Sequence, residues 1–462
     1  MKRSLTMPPA PPVRRLIGPS FLLLALGLGS GEIILWPYLA ANYGLGIVWA
    51  AVIGITLQFF INMEIERYAL VRGESVFVGI SKLWRFAPYW FIGSTFIGFA
   101  LPGIIAASAT ALVALLGVGI DPRWIAIALL LIIGLIVSSA PVVYKLLERV
   151  TITIIACALP FLLLITLIVV DWSDVGALLA GLIGRGEGYQ FLPAGIGLAT
   201  FLGAFAYSGA GGNLNLAQSM YAIEKEYGMG AYGRKLSGLF SGKAESAITS
   251  LEGTPMSVTP TNITRFNQWW LAVNREHALV FWAGGLSAML LLMLLSYASA
   301  FGVSGNDQSI HFVINEAAMI GGQTLGFVGS LFLLLIAVVL FQTQLSILDS
   351  TSRIITENIA IMRLRRGAGV KLSQWYHRCI WIQIIFGCVL LALGLSDPKT
   401  LIVLGASLNA VAMLVHIILV TIANQRLLPT ETRPRPWRLL IIGIAILFFT
   451  GFCALVLLEP FR

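Results

Sequence analysis

The sequence predicts an all-α membrane protein made of two five-helix repeats of opposite orientation, followed by an eleventh helix. Composition is the first observation behind this prediction: 58% of the 462 residues are apolar, 11% are charged, and the mean hydropathy is +0.89. Soluble domains carry about a quarter charged residues. The second observation is a pair of glycine-rich polar interruptions, 27–32 and 208–213, each inside an apolar stretch. The chain therefore belongs in a bilayer, and its two halves begin alike.

Eleven apolar stretches approach the roughly 20 residues that a helix needs to cross the hydrocarbon core of a membrane. They are numbered as spans 1 to 11 in chain order: 16–43, 45–70, 88–116, 123–140, 148–170, 193–220, 277–301, 324–350, 376–395, 399–425 and 437–458.

The placement of basic residues predicts the orientation of these spans, because cytoplasmic loops collect Lys and Arg. With the N-terminus inside, all but four of the 30 basic residues lie on the cytoplasmic side; the four are Arg123, Arg185, Lys399 and Arg462. We expect an integral protein of a bacterial inner (plasma) membrane, with a cytoplasmic N-terminus and an external C-terminus. The same asymmetry accounts for the net charge of +9, so the lipid bilayer is the expected partner and nucleic acid is not.

Spans 1–5 and spans 6–10 form two sets, each opened by an interrupted span. An odd number of spans per set turns the second set upside down, which is the inverted-repeat arrangement of the LeuT type. We expect the linker between the sets to be a tether; a short amphipathic element with a disordered segment, in a regulatory role, is the alternative. The predicted divisions are a cytoplasmic tail 1–15, a first repeat 16–170, an extracellular loop 171–192, span 6 at 193–220, a cytoplasmic linker 221–276, the rest of the second repeat 277–425, and span 11 with the C-terminus 426–462.

The first interruption contains the main candidate for a binding residue. Unwound backbone at membrane depth persists only where protein encloses it or where it lines a cavity, and paired interruptions point to the substrate site of a transporter. Gly29 permits unusual backbone angles, Ser30 can cap the following half-helix, and Glu32 lies at the positive end of that half-helix. Buried carboxylates in membranes are costly and usually functional. The alternative is that Glu32 only caps a helix or faces an external vestibule.

The second interruption offers oxygen atoms for a cation, since unwound carbonyls and half-helix ends coordinate cations in transporters of this type. These oxygens would come from Tyr207, Ser208, Ala210 and Asn213. Asn215 and Gln218, near one face of the following half-helix, are better explained as hydrogen-bonding groups between helices.

Span 8 is unusually polar for a membrane helix. Gln342, Ser346, Asp349 and Arg353 recur every three or four residues and so share one stripe. This stripe is typical of the wall of an aqueous path. An ion pair between Asp349 and Arg353 at i, i+4 is the alternative interpretation.

Three motifs resemble landmarks of the Nramp family of proton-coupled divalent-metal transporters. They are Gly18-Pro19-Ser20-Phe21-Leu22, Tyr43-Gly44 and Gln342-Thr343-Gln344-Leu345-Ser346. The number and spacing of the spans also agree from about residue 16 onward. The resemblance implies the inverted-repeat fold and transport by alternating access.

The chain departs from that family where the family binds metal. The family's Asp-Pro-Gly-Asn signature aligns with 29–32, so Glu32 replaces the Asn and the Asp is absent. Its Met-Pro-His signature aligns with 210–212, which removes the thioether and the imidazole, and Pro102 with neutral neighbours stands where the family has acids. The chain resembles a divergent Nramp-related protein, and the usual manganese or iron selectivity and the proton coupling are not implied.

The leading hypothesis is a secondary transporter for a divalent cation of the Mg or Mn class, bound by Glu32, Gly29 and Tyr207. Oxygen ligands without sulfur suit Mg²⁺, Ca²⁺ or Mn²⁺. One alternative is a transporter of a small organic solute such as an amino acid or a zwitterion, whose ammonium group meets Glu32. Another is a sensor that kept the scaffold without transporting. No enzyme is predicted, no cofactor is expected, and the sequence has no GxxxxGK loop for ATP.

Overall fold

The computed structural model is built almost entirely of helices. It describes residues 5–12, 16, 19–27, 29, 31–139, 143–233 and 247–458. Within these residues, nine helical stretches are long and apolar enough to cross a membrane: Leu45–Arg72, Ala87–Leu116, Pro122–Ser139, Arg149–Val169, Pro260–Ala300, Gly326–Arg365, Leu372–Ala392, Pro398–Leu427 and Pro436–Val456. They correspond to predicted spans 2–5 and 7–11.

The two remaining spans, 1 and 6, are each broken into half-helices, as the sequence predicts. Each second half begins with a short non-α turn, which is a π-helical turn at Gly31–Leu35 and a 3₁₀-helical turn at Gly212–Leu216. The φ angles of Gly209, Gly211 and Gly212 are 150°, 71° and 51°, values that residues with a Cβ rarely adopt. The half-helices are α1 (Pro19–Gly27), α2 (Trp36–Tyr43), α10 (Leu198–Ala206) and α11 (Ala217–Glu224).

Span 3 is also interrupted, whereas span 5 is not. Pro102 lacks an amide hydrogen, and the chain turns there between two helices. Pro160 lies inside a continuous helix. The first repeat thus continues with α3 (Val48–Arg72), α4 (Val76–Leu83), α5 (Ala87–Phe99), α6 (Gly103–Leu116), α7 (Pro122–Ser139) and α8 (Val143–Val169).

The predicted linker 221–276 extends too far, because the seventh transmembrane helix begins at Pro260. Thr259 accepts a hydrogen bond from the amide of Asn262 (3.2 Å), and Pro260 occupies the first helical position, where its missing N–H is not needed. The polar sequence of this N-terminal extension of the helix hides it from a search for apolar stretches. The helix runs on as α12 (Pro260–His277), a π-helical turn (Ala278–Gly284) and α13 (Gly285–Ala300).

Linker residues 247–259 are docked rather than tethered freely. The amide of Met256 donates to the carbonyl of Val71 (3.1 Å), and the amide of Gly253 donates to Glu74 Oε2 (2.9 Å). On the other side, the amide of Met7 donates to Asn262 Oδ1 (2.9 Å). The linker therefore bonds to the C-terminal end of α3 and to Glu74, and the N-terminal segment bonds to α12, through contacts that composition does not reveal.

The remaining helices complete the second repeat and its appendage. One of them, α9, lies within the predicted extracellular loop 171–192, and α15 extends well past the predicted end of span 8. Leu167 and Leu447 are each 73% exposed on outer helices, as expected of side chains that face lipid. These elements are α9 (Trp172–Gly181), α14 (His311–Gln323), α15 (Gly326–Arg365), α16 (Leu372–Ala392), α17 (Pro398–Leu427) and α18 (Pro436–Leu458).

Candidate functional site

The two helix breaks touch each other in the middle of the molecule. A Cβ atom built on Gly31 would lie 1.8 Å from the carbonyl oxygen of Tyr207, and one built on Gly27 would lie 2.7 Å from the carbonyl carbon of Gly209. Real side chains do not reach such distances, so these positions require glycine. The glycines therefore allow the unwound segments of spans 1 and 6 to pack backbone against backbone.

A third helix closes the other side of the first break. A Cβ on Gly29 would lie 2.3 Å from the Cγ2 atom of Thr343 in α15. Gly29, in the break of span 1, therefore packs against α15. Because it has no side chain, only its backbone is available to a ligand. Ser30, the other predicted ligand at this break, lies outside the described residues.

Glu32 begins the second half of the first broken helix, and its side chain is fully buried. Neither carboxylate oxygen has a hydrogen-bond partner among the described residues. Its Oε1 atom faces Gly285, the first residue of α13, where a built Cβ would lie 3.3 Å away. A buried carboxylate without a partner is costly. Glu32, with both oxygens unpartnered among the described residues, therefore needs a cation or a proton.

Tyr207 ends α10, and its hydroxyl is held by α17. Asn409 donates one hydrogen bond to the Tyr207 hydroxyl (2.8 Å) and another to the carbonyl of Gly98 (2.9 Å). A small cavity beside Tyr207 is also bounded by Gln344, whose Oε1 has no partner among the described residues. The hydroxyl of Tyr207 is therefore a structural group here, while its carbonyl lies at the meeting of the breaks.

Two of the residues predicted to supply oxygen ligands form side-chain hydrogen bonds between helices instead. Ser208 accepts a hydrogen bond from Trp36 Nε1 (3.0 Å) and donates to the carbonyl of Ala204 (3.1 Å). The amide nitrogen of Asn213 donates to Ser94 (2.8 Å) and Thr95 (3.0 Å) of α5. These contacts tie α10 to α2 and the second break to α5. Asn213 Oδ1 has no partner in the described part of the chain.

Ala210 is buried and can offer only its backbone to a ligand. A further residue of this region, Gln58 of α3, is not among the predicted site residues. Its Nε2 donates to the carbonyl of Ala206 (2.9 Å), one of the carbonyls left open where α10 ends. A polar residue in the apolar span 2 is the sequence signal that points to it; Gln344 and Asn409 carry the same signal in spans 8 and 10.

Solved transporter structures resemble this arrangement of broken helices. A mutant of the Eremococcus coleocola manganese transporter superposes with a TM-score of 0.68 at 14% sequence identity, covering 94% of this chain and 84% of that chain. The same transporter in complex with an aromatic bis-isothiourea substituted compound gives a TM-score of 0.68 at 14% sequence identity, covering 97% of this chain and 88% of that chain. MhsT in complex with L-phenylalanine gives a TM-score of 0.54 at 12% sequence identity, covering 95% of this chain and 97% of that chain. This chain has the LeuT fold. No family model and no curated protein matches it.

Within the LeuT fold, α15 is the eighth transmembrane helix, and its polar stripe packs against neighbouring helices. Gln342 Nε2 donates to Thr151 Oγ1 of α8 (2.7 Å) and to Ser346 Oγ (2.8 Å). Asp349 pairs with Arg353 Nε (2.8 Å), and Tyr376 of α16 donates to the same carboxylate. The ion pair that was the alternative interpretation is therefore present and buried. A role for Gln342, Ser346 and Asp349 in lining a path stays a prediction.

In the described part of the two breaks, Glu32 contributes a single carboxylate rather than a cluster of acidic side chains. No group of three or more His, Cys, Asp or Glu side chains that could hold a metal ion is found among the described residues. A cation at Glu32 would therefore rely on backbone carbonyls and amide oxygens for its other ligands. Such oxygen donors suit hard ions better than soft ones.

Proposed function

We propose that this chain is a secondary transporter that moves a divalent cation of the Mg or Mn class across the membrane by alternating access. The single observation behind this proposal is Glu32, a buried carboxylate without a described partner where the two broken helices meet. In the LeuT fold, substrates bind at such paired breaks near the middle of the bilayer. One of the similar solved structures is described as a manganese transporter.

The packing of the breaks favours a small cargo over an organic one. The contacts of Gly31 with Tyr207, and of Gly29 with Thr343, leave no gap for a solute with a side chain between these segments. A metal ion needs only a shell of oxygens, and Mg²⁺ often keeps several waters with one or two carboxylates. The Tyr207 carbonyl and the Gly29 backbone are the proposed neutral ligands beside Glu32.

An organic solute with an ammonium group is the second candidate. The observation that bears on it is the small cavity beside Tyr207, bounded also by Gly98, Gln344 and Gly405, whose free volume of about 20 Å³ holds little more than one water molecule. The breaks would have to move apart to admit an organic solute. MhsT, with the same fold, was solved with L-phenylalanine. In this version the ammonium group would meet Glu32.

Uptake into proteoliposomes, together with thermal stability in detergent, tests the proposal. We expect Mg²⁺ or Mn²⁺ to raise the melting temperature of the wild-type protein, because a ligand that binds only the folded state stabilises it. Glu32→Gln keeps the size of the side chain and should lower uptake by at least about tenfold, which corresponds to about 1.4 kcal/mol of lost binding free energy.

Glu431→Gln is the matched control, since Glu431 is an exposed carboxylate far along the chain from both breaks. Its uptake should equal that of the wild type. Unchanged uptake by Glu32→Gln would remove Glu32 from the site. Stabilisation by amino acids with none by metal ions would replace the metal with an organic solute.

A further inference from the structure

A second group of buried polar side chains lies on the cytoplasmic side of the breaks, between α3 and the second half of span 6. Gln218 Nε2 of α11 donates to Glu66 Oε2 of α3 (3.0 Å). Asn62 is one turn before Glu66 on α3, and Asn215 is one turn before Gln218. All four side chains are 0% exposed.

The two helices run in the same direction through this region. Gln58 contacts the carbonyl of Ala206, and further along both segments Glu66 contacts Gln218. Asn62 lies between the two α3 positions, and Asn215 lies between the two positions of span 6. Because residues four apart on a helix share a face, Asn62 lies on the same face of α3 as Gln58 and Glu66. It is about 6 Å from Glu66 along the helix axis, at 1.5 Å per residue.

Each of these side chains keeps an oxygen atom without a hydrogen-bond partner in the described part of the chain. The atoms are Glu66 Oε1, Gln218 Oε1, Asn62 Oδ1 and Asn215 Oδ1. A buried polar atom left without a partner destabilises the fold, because it has lost its hydrogen bonds to water. Four such oxygens on two adjacent helices form the kind of donor set that binds a hard cation.

Charged groups on the surrounding elements form ion pairs or hydrogen bonds with residues outside this cluster. On the other face of α3, Glu64 pairs with Arg67 (2.7 Å) and with Arg438 of α18 (2.5 Å). Other buried titratable groups on the packed elements have partners outside this cluster: Tyr68 bonds to Glu74, Glu276 and His277 bond to Ser20, and Tyr221 bonds to Ser350. His416 of α17 is a buried imidazole with no hydrogen-bond partner among the described residues. The described hydrogen bond of the Glu66 carboxylate is the one from Gln218. Glu66 thus has no described cationic side chain as a partner.

We propose that Glu66, Gln218, Asn62 and Asn215 form a second cation site, distinct from Glu32, that binds Na⁺. With Glu66 ionised, the site carries one negative charge, which one monovalent ion neutralises. Because α11 follows the second break directly, an ion between α3 and α11 holds the half-helix against the first repeat. This site therefore couples a Na⁺ gradient to the movement of span 6.

The first test needs no transport. Purified wild-type protein is heated in NaCl or in KCl at the same ionic strength. We expect Na⁺ to raise the melting temperature in a saturable way and K⁺ to have little effect. Glu66→Gln should raise the half-saturating Na⁺ concentration by at least about tenfold, and Asn62→Ala and Asn215→Ala, which keep the carboxylate, should each raise it in the same direction.

Glu32→Gln is the control that separates this site from the cargo site. It should keep the Na⁺ response, while Glu66→Gln should keep the stabilisation by Mg²⁺ or Mn²⁺. In proteoliposomes an inward Na⁺ gradient should stimulate uptake by the wild type and not by Glu66→Gln. Equal melting temperatures of the wild type in NaCl and KCl would overturn the proposal. So would a Na⁺ response retained in Glu66→Gln, or uptake driven by a pH gradient alone and lost in that variant, which would make Glu66 a proton site.

Discussion

The carbonyl oxygen of Tyr207 lies against the Cα atom of Gly31, so close that a Cβ on Gly31 would be 1.8 Å from it. One residue belongs to each broken helix, and the chain between them contains the rest of the first repeat. This contact joins the two repeats at the point where both lose their helical hydrogen bonds. It also brings the Tyr207 carbonyl next to the residue that precedes Glu32.

Gly31→Ala is predicted to disrupt the junction. The added methyl group meets backbone, which cannot rotate away, and overpacking of this kind costs about 1–3 kcal/mol or more. We expect a lower melting temperature and loss of uptake. Gly443→Ala in α18 is the control, because its Cβ meets no atom within 4 Å; alanine there should be neutral or stabilising by about 0.5–1 kcal/mol. Equal stability of the two variants would contradict the described junction.

Gly285→Ala is predicted to weaken cargo binding with little loss of stability. Its Cβ would lie 3.3 Å from Glu32 Oε1 and 2.8 Å from the terminal methyl group of Ile55, so it crowds the carboxylate. The half-saturating cargo concentration should rise by about tenfold, equivalent to 1.4 kcal/mol. The neighbouring Gly284→Ala makes only ordinary contacts, the nearest at 3.6 Å from Leu24, and should bind cargo normally. A larger effect from Gly284→Ala would place the cargo elsewhere.

Asp349→Ala is predicted to destabilise the protein by about 3–5 kcal/mol, because it leaves the Arg353 charge buried without its carboxylate. The free energy of unfolding or the melting temperature measures this. Asp121→Ala removes a matching pair with Arg123 at the surface and should cost only about 0–1 kcal/mol. Lost uptake at unchanged stability would instead favour the path-lining interpretation of Asp349.

The orientation of the chain is predicted to be cytoplasmic at the N-terminus. In a variant without the four native cysteines, Gly119→Cys, between α6 and α7, should react with a membrane-impermeant maleimide added to intact cells. Lys371→Cys, between α15 and α16, should react only after the membrane is opened, because basic loops stay inside. Both positions are exposed. The reverse labelling pattern would invert the topology.

Local sequence was sufficient to predict the spans and both breaks. The length of an apolar stretch indicates whether it can cross the hydrocarbon core. Glycines with polar neighbours indicate where a helix can lose its backbone hydrogen bonds. Both signals lie within about 20 residues of sequence. The same reasoning failed for α12, because its polar composition hides a helix that extends the seventh span at its N-terminal end.

The hydrogen-bond partners of the polar side chains could be identified only from the tertiary structure. Asn215 and Gln218 share a face in the sequence, yet the same spacing describes interhelical hydrogen bonds and an ion site equally well. Glu66, 152 positions away from Gln218, is brought to it only when α3 packs beside α11.

The sequence by itself therefore determined that this chain spans a membrane, where its helices break and that Glu32 stands at a break. Only the tertiary structure decided which buried oxygens have no partner among the described residues and which already accept a hydrogen bond or form an ion pair, as those of Ser208 and Asp349 do. The physical reason is that helix formation depends on near neighbours along the chain, whereas the satisfaction of a buried polar group depends on which distant segment packs against it.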